Sequence, residues 1–232
     1  MNNTVLKLGV FFFKNRSFIP LFFFIICPFF IEQGYIKVEK IFLISFSFCF
    51  IGSLIRFLTV GYSFEGTSGR NRVNQVAEKL NTKGMYSICR NPLYVGNLFV
   101  WIGLAIFTHS IIFINIVLIS FLVFYYPIVF VEEKFLKEKF GESYITWKNK
   151  VPRFQFAFWL FKNPTINFNF KKCIRNEYSG IISISCSYLF IYTLKNISKS
   201  PFVFDSFYVF FVAIIILCLF IRYCKKNTSL LN

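Results

Sequence analysis

The sequence predicts an all-α, polytopic membrane protein with about six transmembrane helices, a tight helical hairpin and further interfacial helices on the cytoplasmic side. Hydrophobic residues make up 56% of the 232 residues, and Phe alone occurs 36 times. A water-soluble domain of this size could not bury so much apolar surface. The apolar residues also form long runs, and a run of about 20 residues spans a bilayer. We therefore expect residues 1–232 to form a single integral membrane domain.

Six segments are long and apolar enough to be considered transmembrane helices. They are residues 17–36, 41–60, 93–108, 111–131, 179–198 and 202–221. Pro20 and Pro28 lie inside the first segment and are expected to kink it. Only residues 108–110 separate the third segment from the fourth. These two segments are therefore predicted to form the tight helical hairpin.

The distribution of basic residues predicts the orientation in the membrane. With a cytoplasmic N-terminus, 21 of the 26 Lys and Arg residues lie on the cytoplasmic side and four on the other, while Arg56 falls inside the second span. This bias is typical of cytoplasmic loops and predicts cytoplasmic N- and C-termini. The net charge of +16 suits anionic lipid headgroups rather than nucleic acid, because the basic residues lie between apolar runs. A composition rich in Lys, Asn, Phe and Ile fits an AT-rich genome, so we expect the inner membrane of a bacterium.

Two cytoplasmic segments are predicted to carry helices of their own. Apolar residues recur over 73–80 at the spacing of one helix face, which indicates a short interfacial helix. The fourth span is expected to continue to Phe140 and to end at Gly141. A shorter helix is predicted over 144–150. The aromatic segment 154–161 is too short to span and is expected at the headgroup level.

Neither a disulfide framework nor a metal site is predicted. The seven cysteines include no CxxC pair, and the single histidine, His109, lies in the short turn of the hairpin.

The most informative segment lies at the basic end of the third span: residues 84–97, with the sequence GMYSICRNPLYVGN. Asn is a preferred N-cap and Pro is favoured at the first helical position, so Asn91 and Pro92 predict the start of the helix. A helix start also attracts anions, because its free N–H groups and its dipole point outward. Arg90 directly precedes this start and offers a planar fork for a carboxylate or a phosphate.

Two adjacent acidic residues, Glu132 and Glu133, follow the fourth span in a chain with only ten acidic residues. In an antiparallel hairpin, residues 90–94 and 130–133 lie on the same side of the membrane, so we expect the glutamates to face the basic motif. Neighbours on a helix diverge by about 100°, so only one glutamate can point squarely at a given ligand. The alternative is that the pair keeps the helix end soluble, with Glu133 bound to Lys137 at i, i+4.

Three further features allow two interpretations each. Tyr86 and Tyr94 could stack on a nucleobase or mark the membrane interface. Gly96 shares a helix face with a second glycine, which lets a neighbouring helix or a flat ligand approach, and packing is the simpler interpretation. The loop GTSGRNR, which contains Arg70 and Arg72, could cradle a phosphate or be a flexible polar loop.

The ordered combination of these motifs resembles the isoprenylcysteine carboxyl methyltransferase and phospholipid methyltransferase superfamily. The resemblance covers about 84–154 and consists of the pattern in 84–97, the hairpin, the glutamate pair, and the sequences FGESY and VPRF that follow. Members are small polytopic enzymes that bind S-adenosylmethionine at the cytoplasmic face and methylate lipids or lipidated substrates. The resemblance implies this fold, cofactor and substrate class here.

The resemblance also implies roles for individual residues. The residues expected to be catalytic are Arg90 and Asn91. Those expected to bind the cofactor are Tyr86, Pro92, Tyr94, Gly96, Glu132 and Glu133, with the glutamates holding its amino group or its ribose hydroxyls. Those expected to bind the substrate are Arg70, Arg72 and Arg153.

The sequence departs from the family at one position, since Asn91 stands where members usually carry His. Asn forms hydrogen bonds but cannot take up a proton, so a general base is missing there. An amine or a neutral hydroxyl would need deprotonation, whereas a phosphate or carboxylate oxygen is already an anion. We therefore expect O-methylation of an anionic lipid headgroup. The TSGR stretch of the loop also resembles a bacterial branch that looks like lipid A phosphate methyltransferases.

Other functions stay open from the sequence alone. They are isoprenylcysteine-type or phospholipid N-methylation, transport, a non-enzymatic basic membrane scaffold, and nicotinamide-dependent reduction, which related membrane folds also serve. Transporters usually carry ionisable residues along a path through the membrane. Here only Glu32, Arg56 and Asp205 fall in or near the predicted spans, each close to an end.

Overall fold

The computed structural model describes residues 3–32, 38–66, 77–197 and 204–228, and within these ranges the chain forms helices without any strand. The helices are α1 (Asn3–Asn15), α2 (Ile19–Ile26), α3 (Val38–Gly61), α4 (Met85–Ile88), α5 (Pro92–Phe107), α6 (Ile111–Phe140), α7 (Glu142–Lys150), α8 (Phe170–Asn196) and α9 (Ser206–Asn227). Short 3₁₀ turns occupy Cys27–Phe30 and Phe158–Leu160. The all-α prediction is confirmed.

Three helices are long and apolar enough to cross a membrane, namely Glu39–Gly61, Ile111–Phe140 and Ser206–Asn227. Helices α1 and α2 pass the same test only together, across a break with a bend of 78°, which raises the number to four at most. Helix α5 has 16 residues and is shorter than a full span. The predicted number of six spans is therefore not confirmed within the described residues. Large apolar side chains such as Ile119 and Phe220 face outward, as lipid contact requires.

The N-terminal region differs from its prediction. Instead of one kinked span over 17–36, α1 ends at Asn15 and α2 begins at Ile19, so the break lies before both prolines. Pro20 lies in the first turn of α2 and Pro28 in the first turn of the following 3₁₀ helix. At these positions the missing N–H of proline costs no helical hydrogen bond.

The predicted hairpin and the helices after it are confirmed. Helices α5 and α6 are joined by residues 108–110, where the Ser110 side chain accepts a hydrogen bond from the N–H of Phe113. Helix α6 ends at Gly141, whose φ of 52° suits glycine, and α7 follows directly. Of the predicted interfacial helix, residues 73–76 lie outside the described residues.

Two other segments differ from the prediction in their boundaries. Residues 77–80, predicted to end the interfacial helix, have irregular backbone. Helix α8 starts at Phe170, well before the predicted span 179–198, so part of the predicted loop is helical and brings Glu177 into the bundle. The serines, tyrosines and charged residues of α8 explain why it is not among the candidate spans.

Glycines allow α3 and α5 to approach each other closely. A Cβ atom added to Gly52 would lie 2.5 Å from the carbonyl oxygen of Gly96 and 2.9 Å from the backbone nitrogen of Val100. Further along the same contact, the Ser45 hydroxyl donates a hydrogen bond of 2.6 Å to the carbonyl of Gly103. Contacts of this kind are typical of small residues between membrane helices.

We predict that Gly52→Ala lowers the free energy of unfolding by about 1–3 kcal/mol, because the added methyl group meets backbone atoms that cannot move aside. Gly180→Ala in α8 is the matched control, since its nearest neighbour would be a Glu177 oxygen at 3.9 Å. The control should raise stability by up to about 1 kcal/mol, because glycine inside a helix is less favourable than alanine. Denaturation followed by circular dichroism in one detergent tests both. Equal stability of the two variants would contradict the packing argument.

Candidate active site

A cavity of about 1310 Å³ lies among the helices, with side chains from α2, α3, α5, α6 and α8 in its wall. Part of its lining is apolar and includes Phe113 and Ile191. Another part is polar and includes the Arg90–Asn91–Pro92 motif. Among the described residues, six basic and four acidic side chains line the cavity, so its formal charge is positive.

The motif is held in place by residues 152–162, a mostly irregular segment that follows α7. The Arg90 N–H donates to the carbonyl of Pro152 at 2.9 Å, and the Gly84 N–H donates to the carbonyl of Lys162 at 2.9 Å. Between these two bonds, the Ala157 N–H donates to the carbonyl of Ile88 at 3.0 Å. Backbone hydrogen bonds therefore fix the shape of the motif before any side chain acts.

Helix α5 begins at Pro92, as the sequence predicts. Asn91 occupies the N-cap position, but its side chain forms no capping hydrogen bond. Instead, its Nδ2 donates to the carbonyl of Arg153 at 3.1 Å. Asn91 thus links the start of α5 to the segment that supports the motif.

Glu133 is buried, and its carboxylate binds three basic side chains. Its oxygens lie 3.1 Å from Arg90 Nη1, 3.0 Å from Lys148 Nζ and 3.0 Å from Arg153 Nη2. The hydrogen bonds that Arg153 donates to Glu133 raise the pKa of Arg153 above its usual value. The hairpin therefore brings Arg90 and the acidic pair together as predicted, and the alternative partner of Glu133, Lys137, is not its partner in the structure.

Arg90 lines the cavity, and its side chain is almost fully covered. Its Nε and Nη1 form no hydrogen bond of regular geometry with any described residue, although Nη1 lies within ion-pair distance of Glu133. The buried Tyr144 hydroxyl lies within hydrogen-bonding reach of the Arg90 side chain. Burial raises the pKa of Tyr144, so its hydroxyl stays protonated and can donate. Glu133 and the Tyr144 hydroxyl therefore hold the Arg90 guanidinium in the wall of the cavity.

Glu132 points away from its neighbour and meets different partners. The Tyr94 hydroxyl donates to its Oε1 at 2.7 Å, and Arg16 Nη1 lies 3.5 Å away. The Tyr94 ring packs on that of Tyr125, with 4.7 Å between the ring centroids. All four side chains line the cavity. Both glutamates therefore line the cavity, and Glu132 has fewer basic partners than Glu133.

The other predicted site residues are placed as follows. Tyr86 lines the cavity, and burial followed by the nearby charge of Glu132 raises its pKa. Gly96 is not among the residues that line the cavity, and it packs against Arg56, whose Cγ would lie 2.6 Å from an added Cβ atom; its predicted cofactor role stays a prediction. Arg153 is engaged by Glu133, and its predicted substrate role stays a prediction. Arg70 and Arg72 lie outside the described residues.

The sequence interpretation missed a second charged group in the cavity. Arg56 donates two hydrogen bonds to Glu177, at 2.8 and 2.9 Å, and a third to Asn97 Oδ1 at 2.7 Å. An arginine inside an apolar run was the available signal, because charges in spans usually mark function. Glu177 gave no signal, since it lies in a segment predicted to be a loop.

Parts of the chain are similar to known proteins. Residues 41–143 match the family model described as phospholipid methyltransferase, which confirms the resemblance found in the motifs. The cobalt-zinc-cadmium resistance protein CzcN of Cupriavidus metallidurans is 35% identical over 75 residues, which is 32% of this chain and 34% of that protein. The match thus spans about a third of the length of this curated relative. No solved structure matches the chain.

We predict that Glu133→Gln lowers the free energy of unfolding by about 2–3 kcal/mol. Removal of one partner from a buried charge cluster costs about 3–5 kcal/mol, and partial exposure of Lys148 and Arg153 reduces this effect. The control is Glu138→Gln, because its pair with Lys134 is exposed and should contribute no more than about 0.5 kcal/mol. Chemical denaturation in detergent measures both. A Glu133→Gln protein as stable as the control would show that the cluster does not hold the site together.

Proposed function

We propose that this chain is an S-adenosylmethionine-dependent membrane methyltransferase that transfers a methyl group to an oxygen of an anionic lipid headgroup. One observation carries the proposal: within the segment that matches the phospholipid methyltransferase family, Arg90 and Glu132 present opposite charges to one large cavity. Such a site suits a ligand that carries both charges. With the N- and C-termini in the cytoplasm, this end of the cavity lies on the cytoplasmic side of a bacterial inner membrane.

The residues present fit the cofactor. Its carboxylate requires a positively charged donor, and the Arg90 guanidinium lines the cavity beside the start of α5. Its amino group or ribose hydroxyls require an acceptor, which the Glu132 carboxylate supplies. Ligand pockets commonly measure about 300–1,000 Å³, so a cavity of about 1310 Å³ has room for the cofactor and part of a lipid. Tyr86, Pro92 and Tyr94 would line the cofactor.

The two glutamates would have different functions. Glu133 is neutralised by three basic residues of the protein, so it would position Arg90 rather than bind the cofactor itself. Glu132 has fewer partners and would contact the ligand. This assignment agrees with the divergence of about 100° between neighbouring side chains on a helix.

The acceptor is proposed to be anionic for two reasons. Asn91 cannot take up a proton, and its amide nitrogen is engaged with the carbonyl of Arg153. The lining also carries more basic than acidic side chains, which favours a phosphate or a carboxylate. Phospholipid N-methylation and isoprenylcysteine-type methylation are the alternative reactions of the same site.

Bound S-adenosylmethionine supplies a methyl group already activated by its sulfonium, so the acceptor oxygen gains the methyl and the sulfur keeps the electron pair of the broken bond. The protein would align the reacting groups and exclude water. Arg90 would fix the ligand by its guanidinium, while Asn91 and the start of α5 hold the backbone in place. The apolar part of the cavity, which includes Phe113 and Ile191, would receive lipid chain.

Rival functions receive less support from the described residues. A transport path would need polar groups on both sides of the protein, whereas the cavity lining includes a large apolar part. The name of the CzcN relative refers to metal resistance, but no cluster of three or more His, Cys, Asp or Glu suited to a metal ion occurs in the described part of this chain. Flux measurements in proteoliposomes would test the transport alternative directly.

We predict that Glu132→Gln weakens binding of S-adenosylmethionine about tenfold or more, because a hydrogen bond to a charged group contributes roughly 1.5–3 kcal/mol. Transfer of tritiated methyl groups into membrane lipid should fall in parallel. Glu138→Gln removes a charge from the exposed face of the same helix and should keep both activities.

Mass spectrometry of the labelled lipid then locates the added methyl group on oxygen or nitrogen. Location on nitrogen would refute the proposed acceptor, and wild-type labelling by Glu132→Gln would refute the site.

A further inference from the structure

The wall of the cavity formed by α3 and α8 contains a guanidinium that has no role in the proposed reaction so far. Arg56 of α3 is bound side-on by the Glu177 carboxylate of α8, through Nε at 2.8 Å and Nη2 at 2.9 Å. Nη1 donates to Asn97 of α5 at 2.7 Å. Glu177 lies outside the family-matched segment 41–143, so this arrangement depends on a helix that the family match does not include.

The fixed guanidinium keeps donors for a ligand. A guanidinium has five N–H groups, and three of those of Arg56 are used by Glu177 and Asn97. One N–H on each Nη atom therefore has no partner among the described residues. The Arg56 side chain keeps 25% of its surface exposed and lines the cavity, whereas Glu177 keeps only 11%. Glu177 also lines the cavity, but the guanidinium is the more exposed of the two groups.

The aliphatic part of the Arg56 side chain is fixed by packing against α5. An added Cβ atom on Gly96 would lie 2.6 Å from Arg56 Cγ, so glycine at this position is what allows the arginine to pass α5. Asn97 is itself oriented, because its Nδ2 donates to the Tyr125 hydroxyl at 3.1 Å. An arginine held by packing and by three hydrogen bonds loses little further entropy when it binds an anion.

Stability alone does not account for this pair. A buried ion pair is close to neutral for folding when compared with apolar residues of the same volume, because desolvation offsets the attraction. A planar guanidinium with two free N–H groups is, however, well suited to two oxygens of a phosphate or a carboxylate. Such oxygens are the reacting groups of the proposed acceptor.

We propose that Arg56, oriented by Glu177 and Asn97, binds the anionic headgroup of the lipid acceptor and determines the preference for anionic over neutral lipids. This inference rests on the proposed function and assigns the acceptor to the α3–α8 wall, separate from the cofactor groups Arg90 and Glu132. The two groups are connected through Asn97, Tyr125 and Tyr94. A phosphate and a carboxylate share this chemistry, and the test distinguishes them.

The experiment uses Arg56→Lys in the full chain, purified in one detergent. Lysine keeps the charge but lacks the fork. Arg222→Lys, on the exposed surface of α9, is the matched control. The probes are short-chain phosphatidic acid, a short-chain fatty acid and short-chain diacylglycerol, which present a phosphate, a carboxylate and no anion. Binding of each probe, binding of S-adenosylmethionine, methyl transfer and thermal stability are measured for wild type and both variants.

Wild type should bind an anionic probe at least about tenfold more tightly than diacylglycerol, and the stronger of the two anions identifies the acceptor class. Arg56→Lys should lose this preference and raise KM for the acceptor by a similar factor, with unchanged affinity for S-adenosylmethionine. Arg222→Lys should behave as wild type. Glu177→Gln should show a smaller loss of the same kind, because Arg56 remains but is less well oriented.

Equal preference for anionic probes in wild type and Arg56→Lys would overturn the inference, as would a loss of thermal stability without a change in probe binding. Loss of S-adenosylmethionine affinity in Arg56→Lys would also overturn it, because the residue would then belong to the cofactor site. Arg56-dependent binding of an anionic probe without any methyl transfer by wild type would instead support this anion site and refute the proposed reaction.

Discussion

A carboxylate removed from water must be compensated by opposite charges and hydrogen bonds, and the geometry of the site follows from how Glu133 meets this requirement. Its three partners come from different parts of the chain: Arg90 from the motif before α5, Lys148 from α7 and Arg153 from the segment after it. The buried carboxylate therefore connects the two ends of the hairpin with the polar segments that follow it. Because Glu132 is the next residue on the same helix, the position of Glu133 also decides where Glu132 points.

The close contact of α3 and α5 is the second constraint, and it acts through the same residues that build the cavity. Gly52 and Gly96 remove the side chains that would hold the two backbones apart. One turn beyond Gly52 on the same face of α3, Arg56 crosses α5 at Gly96 and reaches Asn97. A motif glycine that resembles a ligand-contacting position thus serves to admit an arginine from another helix. The close packing of α3 on α5 and the placement of the Arg56 charge therefore depend on the same glycine.

The local parts of the fold could be predicted from the sequence. The start of α5 at Pro92 and the end of α6 at Gly141 depend on proline and glycine, which act locally. The contact of Arg90 with Glu133 depends on the geometry of a short hairpin, which the sequence also indicates. The break between α1 and α2 and the early start of α8 could not be predicted in this way. Both depend on tertiary contacts, since Arg16 at the break meets Glu132, and Glu177 of α8 meets Arg56.

The same distinction explains which site residues were found. Tyr94 and Glu132 belong to the pattern that carries the family resemblance, whereas Glu177, which pairs with Arg56, lies beyond that pattern. A family pattern records what its members share, which in a group of methyltransferases is the handling of the methyl donor. The groups that would select the proposed acceptor are expected to depend on parts of the chain outside that pattern. Glu177, in a helix beyond the matched segment, orients Arg56 in the wall of the cavity, and this is the position at which selection of the proposed acceptor is expected.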